Sequence, residues 1–291
     1  MSELAREWPH QIASAFEYAC RDELDAPKPG NVHVFANGRR LGVADFERSA
    51  AAAAGPLTAP GQGVGARILG AVDATAAAVE TNTNLGIILL CAPLAAAAET
   101  FSYDLRSSLS QALRSLDRDD AELAFKAIVR ASPAGLGRAE RHDVFAPATG
   151  TLREAMAEAA DRDRVAQQYV TDFADVFELG EPLLVAALAS SADRRLATLV
   201  TYLGFLAAFP DSHIVRKYGL TVAAQTREQA RPLAAMARKA SRLEDVLANV
   251  LIWDAELKKA NVNPGTSADL TVATLFAHRL RSILPRARNG D

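Results

Sequence analysis

Aromatic side chains are scarce in this sequence, 6% of 291 residues, and runs rich in β-branched residues are few. A sheet core depends on both, so their low share beside abundant alanine predicts closely approaching helices instead. Only Cys20 and Cys91 are present, which excludes a disulfide framework and fits a reducing compartment. Neither sign of charge dominates: 32 Lys and Arg stand against 35 Asp and Glu. A net charge of −3 gives no general attraction for nucleic acid or an anionic membrane, so any anion site must be local. The five histidines form no HExxH pattern, and two cysteines cannot build a zinc site by themselves. The longest apolar stretch, Leu85 to Ala98, is interrupted by Pro93 and too short to span a bilayer; it reads as a buried helix. The opening MSELAREWPH has no apolar core of a secretory signal, and a cytoplasmic location is expected.

What is present is helical periodicity. Ile12, Ala15, Phe16, Ala19 and Cys20 recur at three and four up to Leu24, and Pro27 ends that helix. Further helices are expected from about Ala44 and over residues 66–79, 85–98, 102–117, 119–131, 151–178, 182–191 and 193–209. One more should reach Ala260, and a last one should follow Asp269. Thr151–Glu154 and Ser241–Glu244 both have capping-box spacing. No repeat or low-complexity linker divides the chain, so the expectation is an all-α single domain over residues 1–291, a bundle of roughly a dozen helices.

Polar residues gather in four Gly- and Pro-broken stretches, 26–40, 80–86, 211–217 and 261–269, which can converge at one end of such a bundle. Lys28, Arg39, Arg40, Arg216 and Lys217 then offer positive charge for phosphates, and Asp211 and Asp269 offer bases or magnesium ligands. Asn82, Thr83 and Asn84 can cap the helix that begins at Leu85, and Thr266 and Ser267 with helix-start amides can hold a phosphate. Each of these has a plainer reading as a cap or a solvated charge. Asp211 and His213 lie two apart and can meet in a turn. Asp172, Asp175 and Glu178 fall three apart, which suits a solvated acidic stripe better than a cation site. No Walker loop is present, and a Rossmann reading lacks its strands.

Pro27-Lys28-Pro29-Gly30, Asn82-Thr83 with Gly86, Asp211-Ser212-His213 and Pro264-Gly265-Thr266-Ser267-Ala268-Asp269 occur in that order. The succession resembles the triphosphoribosyl-dephospho-CoA synthase family, with its early PKPG, its NT-centred motif before an apolar helix and its late PGxSAD. The resemblance spans most of the chain. It implies an all-α fold and transfer of a triphosphoribosyl group from ATP to the ribose hydroxyl of dephospho-CoA, with adenine released. It further implies that Lys28, Gly30, Asn31, His33, Asn82, Thr83, Asn84, Arg216, Lys217, Thr266 and Ser267 face nucleotide and phosphates. Asp211, Asp269 and His213 would be catalytic, with Asp211 or Asp269 holding Mg²⁺ or acting as base.

The chain departs from the family pattern at three places, one being the GAHxDM that follows PKPG in the family and is unrecognisable in Asn37-Gly38-Arg39-Arg40. A GGVNTHKG-like motif is replaced by Glu80-Thr81-Asn82-Thr83-Asn84-Leu85-Gly86, and the usual LVD after PKPG by Asn31-Val32-His33. In these departures it is similar to a branch found in methanogens and methylotrophs, which implies a second reading: another glycosyl transfer, or a hydrolysis, in the making of a methanopterin- or methanofuran-type C1 carrier. A third reading is a non-catalytic helical partner, and an Ala-rich helix face leaves a homodimer open. The expected partner is a small nucleotide.

Overall fold

The computed structural model describes residues 3–35, 42–79, 83–101, 104–133, 136–139 and 141–284. Among them the chain forms fourteen α-helices and one π-helical segment, and no strand. The first half contains α1 (Glu3–Leu24), α2 (Val43–Leu57), α3 (Val64–Ala78), α4 (Leu85–Glu99), α5 (Leu105–Arg114), α6 (Arg118–Ala131), α7 (Leu152–Ala159) and α8 (Arg164–Val170). The π-helical segment (Asp175–Gly180) leads into α9 (Glu181–Ser190), α10 (Arg194–Ala208), α11 (Ser212–Tyr218), α12 (Leu220–Lys239), α13 (Glu244–Lys259) and α14 (Gly265–Ile283).

Two helices make the centre. α4 is apolar on every side, LGIILLCAPLAAAAE, and a helix of that composition is stable only when other helices cover it all round. α14 is more polar in sequence but equally enclosed, and packs on α1, α4, α10 and the π-helical segment. Two of its buried hydroxyls are satisfied within the helix: Thr271 donates to the Ser267 carbonyl at 2.7 Å and Thr274 to that of Leu270 at 2.8 Å. α2, α3 and α6 cover one flank, α9, α10 and α12 another. Cys20 and Cys91 are both buried and free. No helix of the described residues is long and apolar enough to cross a membrane.

Three local expectations fail, each for a readable reason. The long helix over 151–178 is cut in two after Ala159, and then broken again where Asp172 and Phe173 take φ of 50° and 57°. Phe173 is fully buried, so the core fixes this left-handed turn against its local cost. The stretch around Asp211, expected as a break, is the short helix α11, because Asp211 supplies its own N-cap. The box expected at Ser241–Glu244 does not form; the Asp245 carboxylate instead accepts the Ser241 and Arg242 amides at 3.1 and 3.0 Å. The box at Thr151–Glu154 forms as its spacing predicts.

Candidate active site

Residues 25–34 fold into a compact loop closed by the Val34 amide on the Leu24 carbonyl, 3.1 Å. Lys28 is its centre. The ammonium is fully buried, paired with Glu23 at 2.5 Å and donating to the Val32 carbonyl at 2.7 Å. Burial pushes the Lys28 ammonium down and the Glu23 carboxyl up, and the ion pair opposes both shifts. Lys28 is therefore a staple for the loop, its ammonium engaged by Glu23 and Val32. Tyr202 donates to the Pro29 carbonyl at 2.7 Å. Gly30 takes φ +81°, and a Cβ there would lie 2.7 Å from the Val262 carbonyl and 2.8 Å from Pro264. Asn31 donates to Asn263 at 2.8 Å, so the first polar loop is joined directly to the start of α14.

α11 meets the same end of α14. Asp211 is fully buried, and both its oxygens are spent. One accepts the His213 and Ile214 amides at 2.9 and 3.2 Å; the other accepts the amide and hydroxyl of Ser267, each at 2.8 Å. Burial raises its pKa, and those donors hold it back. The Thr266 hydroxyl accepts the His213 amide at 3.1 Å and lies 3.0 Å from that of Ser212, which in turn accepts the Arg164 amide at 3.1 Å. Thr266, Ser267 and Asp211 thus lock α8, α11 and α14 together. These contacts occupy the groups expected to hold phosphate or magnesium.

The stretch before α4 behaves similarly. Asn82 lies outside the described residues, as do Arg39 and Arg40. Thr83 donates to Ser49 at 2.6 Å, and Asn84 points inward to Thr75 at 3.2 Å, so both anchor α2 and α3. The contact that matters is at Gly86. A Cβ at this position would collide with the Asp269 carboxyl group, so the missing side chain lets α14 set Asp269 against the first turn of α4. Among the described residues no group donates a hydrogen bond to Asp269. Burial, followed by the nearby Asp211 and Glu23 carboxylates, pushes its pKa well above the usual carboxylate range, against the pull of Arg216.

The described parts of the four stretches therefore meet around the N-terminal ends of α4 and α14. Basic groups at the rim are Arg216, paired with Asp163 at 2.8 Å, and exposed Lys217, whose ammonium lies 5.1 Å from the Tyr218 ring centre. His213 packs its ring on Gly265; burial first, then Arg216 and Lys217, bring its pKa down to about 4, so the ring is neutral at pH 7. Asp172, Asp175 and Glu178 separate to Ser110, Arg164 and Arg106, forming neither a cation site nor a stripe. No cluster of three or more His, Cys, Asp or Glu able to hold a metal occurs among the described residues.

Sequence reading missed Glu23, Asp254, Lys258 and Arg164. Asp254 is buried and accepts the Gly30 amide at 2.9 Å, while Lys258 pairs with it at 2.9 Å. The spacing of that pair, four apart on one helix, was a legible signal. Arg164 forms a two-pronged pair with Asp175, 2.7 and 2.9 Å, and its guanidinium stacks 4.1 Å from the Phe209 ring centre. Nothing in its sequence neighbourhood announces that.

Two helix starts, the rim cations and a carboxyl group that receives no donor among the described residues thus come together at one end of an all-α bundle. Residues 9–287 match the model of the CitG family, ATP:dephospho-CoA triphosphoribosyl transferase, and the chain belongs to that family. No curated protein matches it. Among solved structures, an Archaeoglobus fulgidus protein assigned as a triphosphoribosyl-dephospho-CoA synthase is 23% identical. It superposes with a TM-score of 0.58, covering 79% of this chain and 95% of that one, which shows a shared fold.

Proposed function

We propose that the chain cleaves the bond between adenine and ribose in ATP and transfers the triphosphoribosyl unit to a ribose hydroxyl of dephospho-CoA, as a step of cofactor biosynthesis in the cytoplasm. Family membership supplies the reaction class, and one observation carries the site: Asp269, half-buried, receives no donor among the described residues and is crowded by other carboxylates. Such surroundings favour the protonated form of the carboxyl group. Its natural task is general acid, giving a proton to adenine as it leaves, rather than base. Arg216 and Lys217 at the rim supply positive charge for the triphosphate.

A resident magnesium ion does not fit the donors. Asp211 has no oxygen left and Asp269 favours its proton, so Mg²⁺ is expected to arrive and leave with the ATP phosphates. Leu85, buried at the head of α4, adds no charge, which keeps a different acceptor of the C1-carrier type as the second reading.

The test is chromatography of the purified chain with ATP, Mg²⁺ and dephospho-CoA. Adenine and a triphosphoribosyl adduct should appear together. Adenine released only with a pterin or furan acceptor favours the second reading, and none with any acceptor ends both. Asp269→Asn should lower turnover by about 10²-fold or more, with Tm held within roughly 3 °C.

A further inference from the structure

Most charged groups around the site are engaged with one another. His33 is fully buried, its Nε2 3.3 Å from both Asp254 Oδ1 and the Lys258 ammonium, and Lys28 is closed off by Glu23. Arg216 is held differently. Its Nη1 donates to Asp163 Oδ2 at 2.8 Å, while among the described residues its Nε and Nη2 have no acceptor. Nε and Nη2 form the edge with which a guanidinium grips two oxygens at once. Arg164 uses that edge on Asp175, at 2.7 and 2.9 Å; on Arg216 it is open, with 30% of the side chain exposed.

The carboxylate that holds Arg216 is itself fixed. Asp163 is the N-cap of α8, and its Oδ1 accepts the Val165 and Ala166 amides at 2.9 and 3.3 Å, which leaves Oδ2 for Arg216. The frame between the two residues is rigid as well. The Arg164 amide donates to the Ser212 hydroxyl at 3.1 Å, and Ser212 stands four residues before Arg216 on the same face of α11. The residue after Asp163 and the residue one turn before Arg216 are thus bolted together, and Ser212 is bonded on to Thr266 of α14. The Arg164 guanidinium turns away to Asp175 and the Phe209 ring, so it does not compete for Asp163. Asp269 and His213 both feel the charges of Asp163 and Arg216, which sets the pair beside the site.

We propose that Asp163 is a positioning residue: it holds one end of the Arg216 guanidinium so that the Nε and Nη2 edge stays turned to the triphosphate of ATP. This deepens the ATP-dependent transfer proposed above and rests on its ATP site. An arginine side chain loses much rotamer freedom when it is fixed, and Asp163 fixes it before ATP arrives. Two plainer roles give other results. A partly exposed ion pair with no further task contributes little to anything. A carboxylate that merely stands near a phosphate repels it, so its removal would tighten ATP binding.

Asp163→Asn keeps the oxygen that caps α8 but sets an amide N–H against Nη1, donor against donor, and so frees the guanidinium. Tm should stay within roughly 3 °C. In calorimetry with Mg²⁺ the variant should bind ATP about tenfold more weakly, and its KM for ATP should rise by that factor with kcat within about threefold, as the grip is alike in ground and transition states. Asp163→Ser, a second uncharged cap, should behave in the same way. On an Arg216→Met background either change should alter ATP binding by less than about twofold. Unchanged or tighter binding in the single variants overturns the proposal, as does a loss of equal size on the Arg216→Met background. The expected binding pattern without adenine release in the wild type would keep the positioning role and count against the glycosyl transfer; a wild-type chain that binds no ATP overturns both.

Discussion

His213 stands at the second position of α11, its amide bound by Asp211 and Thr266 and its ring on Gly265. That setting is hostile to a positive charge: water is excluded, two cations follow in the same helix, and the helix N-terminus is itself positive. A folded-state pKa of about 4, against 6.5 for an unperturbed imidazole, makes the sign clear. The native state disfavours the extra proton, so the stability linked to His213 is complete above pH 6.5 and is lost as pH falls through about 4. Thermal denaturation between pH 7 and pH 4 should show His213→Gln losing roughly 2–3 kcal/mol less than the wild type. A parallel decline in both proteins would mean the ring is charged and solvated. Asp269 carries the opposite shift a short way off, and this separation of two titratable groups is what makes the site chemically useful.

At the scale of elements, most motif residues turn out to be joints. Lys28 binds a loop to α1 through Glu23, and Asp211 binds α11 to α14. A buried ion pair is costly to break by halves, since the survivor is left charged and unpaired. Lys28→Met should therefore cost about 3–5 kcal/mol in chemical denaturation, while the double variant Glu23→Gln with Lys28→Met should cost distinctly less. If Lys28 instead faced phosphate, the single variant would fold normally and only weaken ATP binding. The Asp211 carboxylate is equally committed, accepting four donors at the junction of two helices. The same chemistry that made these residues look like ligands, short polar side chains beside helix starts, makes them good mortar between helices.

Across the whole molecule the site depends on how closely α4, α14 and their neighbours approach. Two glycines set that spacing. Gly86 admits the Asp269 carboxyl, and Gly180, where the π-helical segment meets α9, admits Thr274 and lies where a Cβ would be 2.6 Å from Phe205. Phe205 is fully buried in α10 and has no free direction to move. Gly180→Ala should destabilise the chain by about 1–3 kcal/mol through overpacking, and should lower catalysis indirectly by shifting α14. Calorimetry and the adenine assay on one preparation would show both effects; an unchanged Tm would mean the helices can separate at little cost.

Period 3.6 in the apolar residues, the shortage of aromatic and β-branched side chains, and the cap at Thr151 are local properties, and they sufficed for an all-α fold and most helix positions. The order of PKPG, NT, DSH and PGTSAD also sufficed for the family. The role of each motif residue was not legible, because a carboxylate or a lysine has the same letter whether it is paired or free. Only packing decided that Asp211 and Lys28 are spent, that no described residue donates to Asp269, and that Asp254, more than two hundred residues from His33, lies against its ring. Burial and hydrogen-bond partners come from distant parts of the chain, and these fix where a proton sits.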